Sequence, residues 1–137
     1  MGGKSFGNDF YLVGDVSKGY NQYNIGKYWK NGIPFTVTDG SYNVLFYDIY
    51  VYDNDVYVAG SALSENKKWV AAYWKNGEKI TLGNGQENSF ALSIVVSKNG
   101  DVYVSGQEEG NSSVVWKNGS PMYKISNSWF SKITLVD

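Results

Sequence analysis

Apolar and polar residues alternate with a period of two through most of the chain, and turn-forming residues cut the alternation into short segments. In residues 55–60, Val56 and Val58 alternate with Tyr57. Such alternation puts successive side chains on opposite faces of a strand, and β-branched and aromatic residues suit that geometry. Residues 70–75 form the next predicted strand, which ends at Asn76-Gly77. Asn-Gly is the favoured pair for a two-residue type I′ hairpin because both positions need positive φ. The chain therefore turns straight back into a third strand, 78–82, with Ile80 and Leu82 facing one way. The polar, glycine-rich stretch 83–88 leads to a fourth strand, 90–97, closed by Lys98-Asn99-Gly100. No apolar pattern with a period of 3.6 residues is sustained anywhere, so the fold class is all-β.

This four-strand unit is one copy of a threefold repeat. Asp9-Phe10-Tyr11-Leu12-Val13-Gly14 returns as Asp55-Val56-Tyr57-Val58-Ala59-Gly60 and as Asp101-Val102-Tyr103-Val104-Ser105-Gly106, at a constant spacing of 46 residues. Each copy is followed by a second motif: Tyr28-Trp29-Lys30-Asn31-Gly32, Tyr73-Trp74-Lys75-Asn76-Gly77 and Val115-Trp116-Lys117-Asn118-Gly119. The glycine-to-tryptophan distance is 15, 14 and 10 residues in turn, so variation falls in the loop between the two motifs. Ile49, Ile94 and Ile133 align within the fourth strands, and Phe35 and Met122 take the place of Ile80. Pro34 and Pro121 sit at the second position of their third strands, which suits an outer edge.

Repeats of this length, each with several short strands, are the mark of a β-propeller blade. In propeller order the strands are B, C and D of one blade and A, the innermost, of the next. The chain is expected to hold a leader at 1–8 and three four-stranded blade repeats at 9–54, 55–100 and 101–137. It starts on B and ends on A, so its first blade lacks an inner strand and its last inner strand lacks a blade. The expected solution is a homodimer in which each copy lends its final strand to the other, closing six blades. The alternative is an excised fragment of a longer propeller.

Composition narrows the chemistry. The net charge is −1 and all 12 basic residues are lysine, so the planar fork that reads phosphate and guanine is missing and nucleic acid is not an expected partner. Without Cys or His there is no thiolate or imidazole metal site and no Ser-His or Cys-His nucleophile pair. No apolar run approaches a membrane span. Asp53-Asn54-Asp55 and Asn99-Gly100-Asp101 lack the ligand spacing of a calcium loop and are expected as turns. The expectation is a chain with no cofactor and no metal.

Trp29, Trp74 and Trp116 recur at matched strand positions and are expected to pack between blades. Trp69 and Trp129 fall near loops where the repeat does not demand tryptophan, and are better placed to stack on a ligand. Of the carboxylates outside turns, Asp48, Glu65, Glu87, Glu108 and Glu109, no spacing selects the pair that glycoside hydrolysis needs. Asp48 shares its strand position with Ser93 and Lys132, and a structural Asp48–Lys132 pair is expected near the central channel. The long, variable connections lie on one face of such a fold and the short, repeated hairpins on the other, so binding is expected on the variable face. Its candidates are Tyr20, Asn21, Tyr23, Tyr42, Asn43, Glu87, Asn88 and Trp129, a set suited to a polar ligand such as a glycan through stacking and hydrogen bonds.

Residues 91–106, from Ala91-Leu92-Ser93-Ile94-Val95-Val96 to Val102-Tyr103-Val104-Ser105-Gly106, resemble bacterial β-propeller repeats of the Ile-x-Val … Gly-Asn-Val-Tyr-Val-x-Gly kind. The Trp-Lys-Asn-Gly element is similar to repeats in secreted or surface proteins of bacteria. The resemblance spans 9–137. It implies the fold and a secreted or cell-surface setting, and leaves function open because such propellers carry many activities. The expected function is noncatalytic recognition of carbohydrate. The rivals are a structural or protein-interaction scaffold and, behind it, a carbohydrate-active enzyme.

Overall fold

A computed structural model describes residues 7–136 of the chain. Residues 1–6, most of the expected leader, and Asp137 lie outside the described residues. Eleven strands form three antiparallel sheets, and no helix occurs among the described residues. Sheet I runs β1 (Tyr11–Val16), β2 (Ile25–Lys30), β3 (Ile33–Thr36). Sheet II runs β4 (Val44–Tyr52), β5 (Asp55–Leu63), β6 (Trp69–Lys75), β7 (Glu78–Thr81). Sheet III runs β8 (Ser89–Val96), β9 (Val102–Glu108), β10 (Ser112–Lys117), β11 (Ser120–Ser126). The fourth strands of the first and second sequence repeats thus become the first strands of sheets II and III, as β4 and β8.

One end of every sheet is fixed by the same set of contacts. Asn31, Asn76 and Asn118 adopt φ of 52°, 50° and 50°, and the glycines after them 84°, 86° and 88°, as a type I′ turn requires. Each asparagine then reaches across to the preceding strand. Its Oδ1 accepts from the backbone N–H of Phe10, Val56 or Val102 at 2.8–2.9 Å. Its Nδ2 donates to Asp9, Asp55 or Asp101 at 2.9–3.0 Å. The lysine before each turn pairs across the strands with the repeat tyrosine and lies over its ring, at 5.8, 5.7 and 5.5 Å for Lys30–Tyr11, Lys75–Tyr57 and Lys117–Tyr103. Asp, Tyr, Lys and Asn therefore recur together because they bond to one another. The carboxylates of Asp55 and Asp101 are occupied in this way, in accord with turns.

The repeat glycine serves the inner strand. β4 and β8 each carry a bulge, at Tyr47 and Leu92, where the register with β5 and β9 skips one residue. The skip brings the inner backbone close to the next strand: a Cβ on Gly60 would stand 2.0 Å from the Leu45 carbonyl oxygen, and one on Gly106 1.9 Å from that of Phe90. No side chain fits there.

The sheets stack face to face, I on II on III. Trp74 is buried with Val44, Val58, Ala62 and Ala72 against sheet I, with Val13 and Val37 packed on the cluster. Trp116 is buried with Ile94, Val104 and Val114 against Tyr57, Ala59, Ala71 and Tyr73 of sheet II. Trp29, at the matching position of sheet I, is half-buried. At the inner edge Asp48 Oδ2 accepts from Ile94 N–H at 2.9 Å, and Ser93 Oγ from Ile133 N–H at 3.0 Å. Residues 131–136 thus lie beside β8 as β8 lies beside β4.

Three expectations change. The strand expected at 131–137 is absent among the described residues, because no neighbouring strand offers it a hydrogen-bond ladder. Asp48 does not pair with Lys132: its oxygens accept from the amides of Ile49 and Ile94, and Lys132 lies beyond Ser93, two inner segments away. The repeat strand expected at 55–60 runs on to Leu63, held by Ala62↔Val70 and Leu63↔Trp69 pairing.

Two substitutions test the packing by chemical denaturation. Trp74→Ala should lose about 3–5 kcal/mol through the cavity left between sheets I and II. Gly106→Ala should lose about 3 kcal/mol because its methyl group meets backbone that cannot withdraw.

Candidate functional site

The end of the stack opposite the Asn-Gly hairpins is built from loops: 17–24 between β1 and β2, 64–68 between β5 and β6, 109–111 between β9 and β10, and 37–43 and 82–88 between sheets. Its backbone is tied by asparagines at matched positions. Asn43 Oδ1 accepts from Asn24 N–H at 2.9 Å, and Asn88 Oδ1 from Trp69 N–H at 2.8 Å. Asn24 returns the contact, its Nδ2 donating to the Val44 carbonyl and its Oδ1 accepting from Val44 N–H, both at 2.8 Å. These bonds pin each loop to the strand beside it. The side chains around them are left to form the surface.

Two depressions open there. The first is a groove of two joined hollows, about 260 and 160 Å³, with Leu63 and Ser64 as their common wall. Tyr23, Tyr42 and Asn43 line one hollow with Ser41, Glu65 and Lys67; Lys79, Thr81 and Asn84 line the other. Tyr42 stands between them. Its hydroxyl accepts from Trp74 Nε1 at 3.3 Å, and its ring lies under Lys79 Nζ at 4.5 Å. The second depression surrounds Trp129, which is 68% exposed. Two adjoining hollows of about 350 and 270 Å³ share Trp129 and Asn111, with Asn127 and Ser128 on one side and Phe90, Gln107 and Glu109 on the other.

The eight candidate residues fall into three groups. Tyr23, Tyr42 and Asn43 come together in the groove. Trp129 dominates the second depression, and Asn88 borders it through Glu109, whose carboxylate accepts from Asn88 N–H at 2.9 Å and Asn88 Nδ2 at 2.7 Å. Glu87 is half-buried beside them. Tyr20, 92% exposed, and Asn21 sit on the turn of loop 17–24, outside both depressions. Trp69 is half-buried at the start of β6 and lines neither. Lys79 and Asn84 were not foreseen, because Lys79 follows an Asn-Gly hairpin and only the folded sheet carries its ammonium to Tyr42.

Carboxylates at this end have definite partners. The two bonds from Asn88 hold the Glu109 carboxyl below its ordinary range, the backbone N–H contributing more than the side-chain amide. Glu108 Oε1 lies 2.8 Å from Lys124 Nζ, and that contact pushes the lysine's pKa up. Among the described residues no group of three or more Asp or Glu is placed to hold a metal ion. The described residues also contain no helix long and apolar enough to cross a membrane.

Comparison with family models, curated proteins and solved structures finds no match for this chain.

The Glu109 contact predicts a local pH response. A carboxyl whose pKa is depressed by folding contributes stability above its unfolded value and loses it as pH falls through the folded one. The protection of the Asn88 amide, its exchange rate set against that of an unstructured peptide at the same pH, should fall as acid protonates Glu109 below the ordinary carboxylate range, and Glu109→Gln should remove that acid step. In thermal melts, Tyr20→Ala and Tyr23→Ala should stay within about 0.5 kcal/mol of the parent, whereas Tyr42→Ala should cost about 1–3 kcal/mol by stripping the Trp74 indole of its acceptor.

Proposed function

We propose that the chain is a noncatalytic recognition module, three blades of a six-bladed β-propeller closed by a second copy, with its loop end binding a polar ligand such as a glycan. The observation that carries the reading is the contrast between the two ends. At the hairpin end, every repeat asparagine is bonded to its partner aspartate and to a backbone N–H of the preceding strand, three times over. At the loop end stand an exposed tryptophan with asparagines around it and a groove with Tyr23, Tyr42, Ser64 and Lys79 along its walls. An aromatic face beside amide and hydroxyl groups suits the apolar face and hydroxyl edge of a sugar ring.

The closure has its own support. Leu12 of sheet I is 56% exposed, while Val58 and Val104 at the same position of sheets II and III are 1% exposed. The difference is the missing neighbour. A Cβ on Gly14 would have only the edge of the Trp29 ring within 4 Å, at 3.8 Å, where Gly60 and Gly106 are pressed by an inner strand. β1 therefore carries the glycine for an inner strand that its own sheet lacks. Residues 131–136 are an inner segment without a sheet. An open edge beside exposed apolar positions favours pairing with another strand, and six blades lie within the common range for propellers.

Acid–base catalysis is the weaker reading, since Asp48, Glu108 and Glu109 are all engaged in structural contacts. A protein-interaction scaffold would use the same loop end.

Two measurements test the proposal. On a glycan array the parent protein should bind a defined set of structures, with Trp129→Ala or Tyr23→Ala lowering that binding at least about tenfold without loss of fold; absence of any glycan binding would favour the scaffold. In sedimentation, the parent should run at twice the chain mass. Gly14→Ala should leave the strand content intact and shift the population to monomer, because the added methyl group blocks the approach of an inner strand. A Gly14→Ala variant that dimerises like the parent rules out pairing at β1.

A further inference from the structure

Asp48, Ser93 and Lys132 hold one position on successive inner segments. The first two serve the next segment in the same way. Asp48 Oδ2 accepts from Ile94 N–H, and Ser93 Oγ accepts from Ile133 N–H, at 2.9 and 3.0 Å. Lys132 breaks the series, because an ammonium donates and cannot accept. The isoleucine amide that follows a lysine in such a stack needs its acceptor elsewhere. Ile49 has one: its N–H donates to Oδ1 of Asp48, on its own strand, at 2.9 Å. β4 is thus equipped to come after a lysine, and it presents a carboxylate at the position facing that lysine.

Resting on the propeller reading above, we infer that Lys132 of each copy forms an ion pair with Asp48 of the other, and that this pair locks the two halves together at the channel. Register supports the placement. In sheets II and III the inner strand sets Phe46 opposite Gly60 and Ile49 opposite Val58, then Ala91 opposite Gly106 and Ile94 opposite Val104. The same register on β1 sets Phe130 opposite Gly14 and Ile133 opposite Leu12 of the second copy, with Ser131 in the bulge. Lys132 is then one inner segment from β4 of that copy, the separation at which Asp48 reaches Ile94. A twofold axis along the channel makes the pair occur at both junctions. Within one chain the two residues are held apart by β8, which is why their charges stay unmatched there.

The test compares dimer dissociation of three variants in sedimentation experiments across protein concentration. Lys132 is exposed and outside any strand, so its replacement leaves the folded chain intact, and circular dichroism checks this. K132M removes the pair, whereas K132E sets two carboxylates against each other. At about 0.1 M salt K132E should dissociate at least about tenfold more readily than K132M, since apposed like charges at an interface are costly. The gap should close at about 1 M salt, where the Debye length falls from about 10 to about 3 Å. Adding D48S to K132E should recover most of the loss, since serine removes the opposed charge and can still accept from the Ile94 amide as Ser93 does from Ile133. Equal dissociation of K132E and K132M would overturn the ion pair and leave the dimer standing. A parent protein that is monomeric at every concentration would instead remove the closed ring, and the pair with it.

Discussion

Each sheet in this chain is apolar on both faces and needs a neighbour on each side. Sheet II has both, and its Val58, Tyr57, Tyr73 and Trp74 are all buried. Sheet I lacks cover behind, leaving Leu12 exposed and Trp29 half-buried; sheet III lacks cover in front, where Tyr103 and Val115 are half-buried at positions matching Tyr57 and Tyr73. The two uncovered faces carry the same repeat positions that meet between sheets I and II and between sheets II and III. Burial of apolar area is the dominant favourable term in both folding and association, so the same pattern that stacks I on II on III provides for a continuation of the stack.

The stack stays in register because one end is pinned. A slip of one residue would turn every side chain to the wrong face, and the Asn-Gly turns prevent it through positive φ, two side-chain bonds and a cross-strand lysine over tyrosine in every copy. With one end fixed, loops at the other can differ in length and composition at little cost to the fold. This separation of roles explains why tryptophan recurs at 29, 74 and 116 as packing and appears singly at 129 as an exposed surface.

Much of this was legible in the sequence. The Asn-Gly pairs marked the hairpins, and period-two alternation located the four strands of the second repeat with every end within three residues. Propeller strand order assigned the fourth strand of a repeat to the following unit, and β4 and β8 do open the next sheets. What escaped was set by partners. The bulges at Tyr47 and Leu92 leave the alternation on either side looking ordinary, so neither was visible. Residues 131–136 have the composition of a strand, but a strand exists only where a ladder of bonds is available. Among the site residues, Tyr23, Tyr42, Asn43 and Trp129 were chosen as aromatic or amide residues on variable loops, and the structure seats them in depressions. It also assigns Asn43 and Asn88 to backbone bonds and Tyr42 to Trp74, tasks that depend on contacts made about 20–30 residues away in sequence.

Uncovered end faces do not by themselves select a closed ring. Any front of sheet III can accept any back of sheet I, and such a head-to-tail contact closes only if the rotation per sheet returns to its start; otherwise it grows into an open filament. The rotation is governed by the inner edge, where the segments lie closest. There the repeat is least regular: an aspartate, a serine and a lysine stand where one residue type could have served. Serine and aspartate hand acceptors forward, and lysine cannot. Only a following strand that satisfies its own isoleucine amide can sit beside lysine without leaving a buried donor unpaired, a loss of about 1–3 kcal/mol. Of the two inner strands, β4 meets that condition and β8 does not, since Ile94 takes its acceptor from Asp48. In the proposed ring, that departure from repeat symmetry would select β4 as the strand after 131–136, through polar groups that an apolar contact alone could not discriminate.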